Sequence, residues 1–357
     1  MTFEINDGVL TGYRSEHHDA VVDIPEGVTE VAAEVFAFNQ DITAVHFPTT
    51  LRKVGAEAFT GCRSLRSAVL PDTVEELGER CFAVTIIDEV HIPASLKVIP
   101  KGAFDGCMGY PVLRVPGTVQ EIGELAFSAN RAVRKVILEE GIEKIGRRAF
   151  NGNPELEVMN FPSSIREIAP YAFDGSMAPR HVELNGAIKH VGDDAFSGCQ
   201  GMEELEIGDG IEELGDRSFA YCSHLKQVRI AESVKRIGCR AFGGCAKLEK
   251  IKLPEGLKEI ADYSFYCCAA LTEFVIPDGV TVIGDSAFAG CVNLKKIVIP
   301  ASVREIGPRA FEGCRELVME KLPESVEAIG YMAFAGSDIK SSVAPAGAYV
   351  GKMAFDD

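Results

Sequence analysis

The sequence has no tryptophan, no apolar run of about 18 residues, no Asn-x-Ser/Thr acceptor and no Cys-x-x-Cys pair. Each absence excludes something. Without the long run no helix spans a bilayer, and without the acceptor the usual mark of glycosylated eukaryotic secretion is missing. Basic residues are scarce beside acidic ones, 36 against 53, and the net charge of −17 repels phosphate backbones and anionic lipid heads. Neither a nucleic-acid partner nor membrane insertion is expected. No Gly-x-Ser-x-Gly elbow, P-loop or His-Glu-x-x-His occurs. The start, MTFEINDGVL, carries acids where a secretory signal needs a basic patch and an apolar stretch. As written the chain reads as cytoplasmic, and as a cell-surface protein where a native export signal precedes it.

What is present is a period. Phenylalanine, usually after a small residue, stands at Phe36, Phe59, Phe82, Phe104, Phe127, Phe150, Phe173, Phe196, Phe219, Phe242, Phe265, Phe288, Phe311, Phe334 and Phe355, and twelve of the fourteen intervals are 23 residues. One interval is 22 and the last is 21. With 46% hydrophobic residues there is enough apolar surface for a core. A unit this short cannot bury its own apolar side, whereas stacked units share one. The expected fold is a right-handed repeat solenoid with a parallel β-sheet on one flank, short second strands, turns and short helical or 3₁₀ segments.

The copy from Leu294 to Cys314, LKKIVIPASVREIGPRAFEGC, contains nearly every element. Ile297 and Ile299 alternate with Lys296 and Val298, as in a strand with one face inward. Pro300 ends it, and ten of the fifteen units carry proline eleven residues before the phenylalanine. Val303 and Ile306 cross the core, Gly307 permits a tight bend, and Ala310 and Phe311 fill the interior. Three residues past the anchor stand Cys62, Cys107, Cys199, Cys222, Cys245, Cys268, Cys291 and Cys314, alternating with Asn39, Thr85, Asn130, Asn153, Ser176 and Ser337. These types share small size and a capacity to hydrogen-bond a turn backbone, so the column reads as a structural ladder of reduced thiols. A ladder places thiols in a line, where zinc needs four ligands around one point; no metal or cofactor is expected.

The segment Pro277 to Cys291, PDGVTVIGDSAFAGC, with Leu294 three positions further on, resembles the leucine-rich repeats of the BspA-like family of bacterial surface proteins. The likeness covers nearly the whole chain. It implies a leucine-rich-repeat solenoid whose surface binds proteins.

Residues 1–21 hold FEINDGVLTGY, where apolar residues flank Asn-Asp-Gly, and read as a β-hairpin-like N-terminal cap. Residues 22–357 form about fifteen repeats in one continuous solenoid. The last coil is incomplete: Val350, Ala354 and Phe355 lack a following strand to cover them.

Chemistry has few candidates. Seven histidines are present, His17, His18, His46, His91, His181, His190 and His224, none beside an evident nucleophile. GDGIEELG, from Gly208 to Gly215, resembles a phosphate loop but occupies the turn and second-strand slots of a coil. The paired acids Glu203 and Glu204, and Glu212 and Glu213, read as solvated faces. Binding is better supported. The outward strand columns, eight and ten residues after each anchor, are banded: Val69, Ile137, Val158, Val275 and Val298 present apolar atoms, His181, Glu183, Glu204 and Glu206 an acidic band, and Lys226, Arg229, Lys250 and Lys252 a basic one, with Lys296 beyond. Adjacent opposite bands either pair across coils or form a docking face where charge steers and apolar residues supply affinity. The expected function is non-catalytic binding of a protein partner. Self-assembly through the C-terminal coil, or a cryptic thiol enzyme, is the alternative.

Overall fold

Alternation sets the first strand of each coil. In the strands Val112–Val115 and His181–Leu184 the second and fourth residues are buried and the other two exposed. Proline then closes a turn, as where Pro300 accepts a hydrogen bond from the Val303 amide at 3.2 Å. A two-residue second strand follows, such as Glu305–Ile306, with its isoleucine inward. The protein, seen in a computed structural model, is described over residues 1–15 and 19–356 and divides into two compact units, Met1–Met177 and Ala178–Asp357. His17 and His18 lie outside the described residues.

In the unit Met1–Met177 an antiparallel hairpin, Thr2–Asn6 with Val9–Arg14, turns through Asp7 and Gly8, both with positive φ, and lays its second strand parallel to Glu30–Val31. Second strands continue in parallel as Lys53–Val54 and Glu76–Leu77, then separately from Val98–Ile99 to Glu167–Ile168. First strands pair as Val21–Asp23 with Ala44–His46, and as Val112–Val115 with Lys135–Leu138 and Val158–Met159.

In the unit Ala178–Asp357 the first strands His181–Leu184, Glu204–Ile207, Gln227–Ile230 and Lys250–Lys252 form one parallel ladder, and Glu273–Val275 with Lys296–Val298 another. Second strands run in register from His190–Val191 to Arg236–Ile237, and from Glu259–Ile260 to Tyr349–Val350. Tyr349 and Met353 are exposed while Ala354 and Phe355 are buried.

The third side of each coil is neither strand nor helix. Among the described residues the only helical turn is 3₁₀, at Ser341–Val343, so the short helical segment expected at the anchor is replaced by a different backbone. The residue two before every anchor has φ between 52° and 62°, from Glu34 to Met353, and only Gly102 among the fifteen is glycine. Left-handed backbone costs an ordinary residue about 1 kcal/mol, and here coil-to-coil hydrogen bonds offset it. The amides of Arg217, Phe219 and Tyr221 donate to the carbonyls of Cys239, Ala241 and Gly243 at 2.8–2.9 Å. Gly307 has no positive φ; a Cβ there would come within 2.8 Å of the Gly284 carbonyl carbon. The glycine admits the preceding coil, which replaces the bend expected of it.

Behind the turns the anchor rings stack face to face at coil spacing. Centroids are 4.9–5.7 Å apart from Phe36 to Phe173 and 5.1–5.9 Å apart from Phe196 to Phe355, with planes within 15°. The widest step in each unit, Phe82 to Phe104 at 5.7 Å and Phe242 to Phe265 at 5.9 Å, leads into a coil where strand pairing lapses.

Candidate binding face

The parallel register sets the outward side chains of the second unit in two rows. His181, Glu204, Gln227 and Lys250 are successive partners in one, and Glu183, Glu206, Arg229 and Lys252 in the other. Glu273 and Val275 stand opposite Lys296 and Val298 in the next ladder. Within this unit the structure brings the acidic and basic bands side by side. Lys226 falls one residue ahead of its strand, where its Nζ donates to Glu203 at 2.8 Å. Val69, half-buried Ile137 and Val158 belong to the first unit; Val69 has no strand, and the other two lie in neighbouring strands.

Much of the charge is satisfied across coils. His181 pairs with Glu204 at 3.4 Å, Arg180 with Glu203 and Arg229 with Glu206 at 3.7 Å, and Lys252 with Glu232 at 3.7 Å. Lys226 donating to Glu203 and Lys235 donating to Glu212 hold both carboxyls below the usual carboxylate range. Among the described residues Lys250, Glu273 and Lys296 make no hydrogen bond or ion pair through their side chains. Beside them Val275 is 64% exposed and Val298 43%. The strand-offset rule that finds Lys250 also points to Gln227 and Glu273, which the band reading passed over.

The remaining candidates are held in structural roles. Cys222 Sγ donates to the carbonyl of Phe196, the anchor of the preceding coil, at 3.2 Å, and Cys245, Cys268, Cys291 and Cys314 repeat the contact at 3.1–3.3 Å. Ser176 Oγ and Asn153 Nδ2 make the same bond to Phe150 and Phe127, at 2.6 and 3.1 Å, which explains the exchange of types in that column. Burial pushes the Cys62 and Cys107 thiols up to about 11 and those of Cys222 and Cys314 up to about 12, so no thiolate forms near neutrality. Cys239 and Cys267 alone are half-exposed. No three His, Cys, Asp or Glu residues gather as metal ligands among the described residues.

His46 and His190 on strands, and His91 outside them, each face a carboxylate of a neighbouring coil: His46 to Asp23 at 2.6 Å, His91 to Asp72 at 3.0 Å and His190 to Glu213 at 3.2 Å. His224 Nδ1 lies 3.4 Å from Ser223 Oγ, whose hydrogen bond goes to Gln200. Glu213 is engaged by Arg236 as well. In the GDGIEELG string Glu213 and Leu214 form a second strand, with Gly210 in the preceding turn.

Stacked parallel coils with a phenylalanine column and a thiol ladder define a leucine-rich-repeat protein. The family described as BspA type leucine rich repeat region (6 copies) matches residues 20–134, 102–226 and 213–340, and the chain belongs to it. Among solved structures it is similar to a leucine-rich repeat protein from Bacteroides ovatus ATCC 8483, with 28% identity, 94% of this chain and 90% of that one covered, and a TM-score of 0.82. A leucine rich cell surface protein from Faecalibacterium prausnitzii A2-165 shares the fold at 23% identity, over 95% of this chain and 93% of the other, with a TM-score of 0.52. No curated protein matches the chain. Among the described residues no helix is long and apolar enough to cross a membrane.

Proposed function

We propose that the chain is a non-catalytic protein-binding module whose docking surface is the outward side of the first strands. The observation that carries this is the set of valines held in water on a rigid sheet, Val158 at 51% and Val275 at 64% exposure among them. Apolar side chains on ordered strands lose little further conformational entropy when a partner covers them. Charged neighbours supply steering and register. The reading includes the hairpin of residues 1–21 as a cap and residues 22–357 as one solenoid behind it, and it favours the cell surface, the place named for the Faecalibacterium protein of the same fold.

The test compares two variants in pull-downs from an extract of the source organism. Val275→Asp with Val298→Asp alters the face, and Arg131→Glu, an exposed residue outside the strands, serves as control. Proteins retained by the unaltered chain should be lost at least tenfold with the double variant and kept with the control. Equal retention by both would refute the assignment.

A further inference from the structure

The coil containing Lys250–Lys252 and Glu259–Ile260 changes partners midway. Its first strand pairs with the preceding coil, through Gln227–Ile230, and its second with the following one, through Val282–Ile283. The first-strand ladder therefore stops between Lys252 and Glu273, and the second-strand ladder between Ile237 and Glu259. On the turn side the bonding continues: the Arg240, Phe242 and Gly244 amides reach the carbonyls of Asp262, Ser264 and Tyr266 at 2.6–3.0 Å. The coils are thus joined along one side and parted along the strands.

Phe274 stands at the parting of the first strands. Its inward slot holds Val182, Leu205, Val228, Ile251 and Ile297 in the other coils of this unit. The larger ring sits edge-on between Phe265 and Phe288, with centroids 4.9 and 4.8 Å away, and Ile251 and Ile297 on either side are only half-buried. An oversized side chain in a packed column moves its neighbours apart.

The parting opens a depression of about 570 Å³ on the outward side. Ile251, Leu253, Phe274, Val275 and Pro277 give it apolar walls, Lys250 and Glu273 stand on its two lips, and Glu249 and Glu255 also line it. Two strand edges face each other there with unpaired backbone groups, which an extended chain can satisfy. Arg229 and Lys252 already have carboxylate partners while Lys250 has none, and Lys296 beyond the far lip is also free of one. A depression of about 600 Å³ marks the corresponding parting in the first unit, but Asp72, Asp88 and Glu89 line it, and its cations His91 and Arg114 pair with Asp72 and Glu139. That one offers a partner's carboxylate no cation that is not already paired.

We infer that the parting between Lys250–Lys252 and Glu273–Val275 is a docking site for an extended segment of a protein partner, one that sets a carboxylate against Lys250 and an apolar side chain against Val275 and Pro277. The inference rests on the first-strand face being the docking surface and names what that surface reads. Strands of three residues span about 10 Å, so three or four partner residues fill the site.

The full chain is used to select from a phage-displayed library of random dodecapeptides, and enriched peptides are synthesised with a fluorescein label and titrated by anisotropy. Sequences with Asp or Glu close to Val, Ile or Leu should be enriched. Lys250→Glu should weaken them at least tenfold, Lys250→Gln less, Val275→Asp at least tenfold, and Glu89→Lys not at all. All three positions are exposed, and circular dichroism establishes that each variant keeps its fold. Neutral or basic consensus sequences, no enrichment, or binding indifferent to Lys250→Glu would overturn the inference. Peptides lost on Val158→Asp but not on Lys250→Glu would sink the site and leave the face standing; peptides indifferent to every strand variant would sink both.

Discussion

The turn side and the strand sides of these coils meet the same requirement, satisfying the backbone between one coil and the next, with different tolerance. Within each unit the turn side is bonded at every coil, even where Arg80, Phe82 and Val84 reach Lys101, Ala103 and Asp105 across a shortened 22-residue interval. The strand ladders are interrupted in each unit, and in the second unit the first-strand ladder parts beside the oversized ring of Phe274. The turn side therefore sets the fold, and the strand sides are free to vary, part and carry charge. Function belongs where variation is cheap.

The sharpest break of this comparison is alkaline. Buried thiols on the turn side have folded pKa values raised to about 11 or 12, above the ordinary unfolded value near 8.5. A raised folded value means that stability is full below the unfolded pKa and falls as pH rises from there towards the folded one. Between about pH 9 and 11 each such thiol should remove roughly 1.4 kcal/mol per pH unit. Urea denaturation across that window should show the fall, and Cys222→Ser, which keeps the hydrogen bond to Phe196, should lessen its slope. A flat profile would mean that the ladder is open to water.

Single substitutions separate the sides next. Phe150→Ala empties a fully buried slot between Phe127 and Phe173 and should cost about 3–5 kcal/mol in chemical denaturation. Val158→Ala, eight residues further on the exposed face, should stay within about 0.5 kcal/mol. Inside a single turn the same contrast reappears between two glycines. Gly307→Ala drives a Cβ into the backbone of the preceding coil and should cost roughly 3 kcal/mol, whereas Gly313, with φ of 71° and 4.0 Å of room, should give about 1 kcal/mol from the left-handed backbone alone.

Phe274→Ile tests whether the ring opens the strands. It forfeits two edge-on aromatic contacts and so should cost about 1 kcal/mol. It should also let Glu273–Val275 pair with Lys250–Lys252, slowing hydrogen exchange of the Thr272 to Val275 amides. Unchanged exchange would assign the parting to another cause.

The turn side was the legible side. The Ala-Phe-x-Gly-Cys spacing announces itself because every coil puts those residues to the same internal use, and the Cys, Asn and Ser exchange already implies a hydrogen-bonded column. Two things hidden in that column come from three-dimensional neighbours: the left-handed residue before each phenylalanine, which no residue type marks, and the close approach at Gly307. Corresponding turn positions carry Gly in some coils and Ser in others, as at Gly141 and Ser164, and that exchange also has a cause seen only in space. Ser164 Oγ accepts from the Gly141 amide at 2.9 Å and donates to the Ile142 carbonyl at 2.8 Å in the coil before. On the strand side the bands could be read, but not which charges would be left over. That depends on where the ladder parts, and Phe274 acts there through volume, which periodicity does not register.

The smallest effect decides what the charge bands are for. Glu203 accepts from Lys226 and lies beside Arg180, yet its carboxylate is in water, where such pairs gain little. If the bands staple coils together, Glu203→Gln should lower the denaturation midpoint measurably. The exposed geometry instead gives no resolvable change at pH 7. The carboxyl should still titrate below an ordinary glutamate in an NMR titration, because Lys226 favours its charged form. A depressed folded pKa contributes stability above the unfolded value near 4.3 and loses it as pH falls through the folded one, so any contribution vanishes only in acid. Glu203→Gln should leave the neutral-pH midpoint unmoved while still changing the salt dependence of partner association. The bands would then steer encounters without holding the coils.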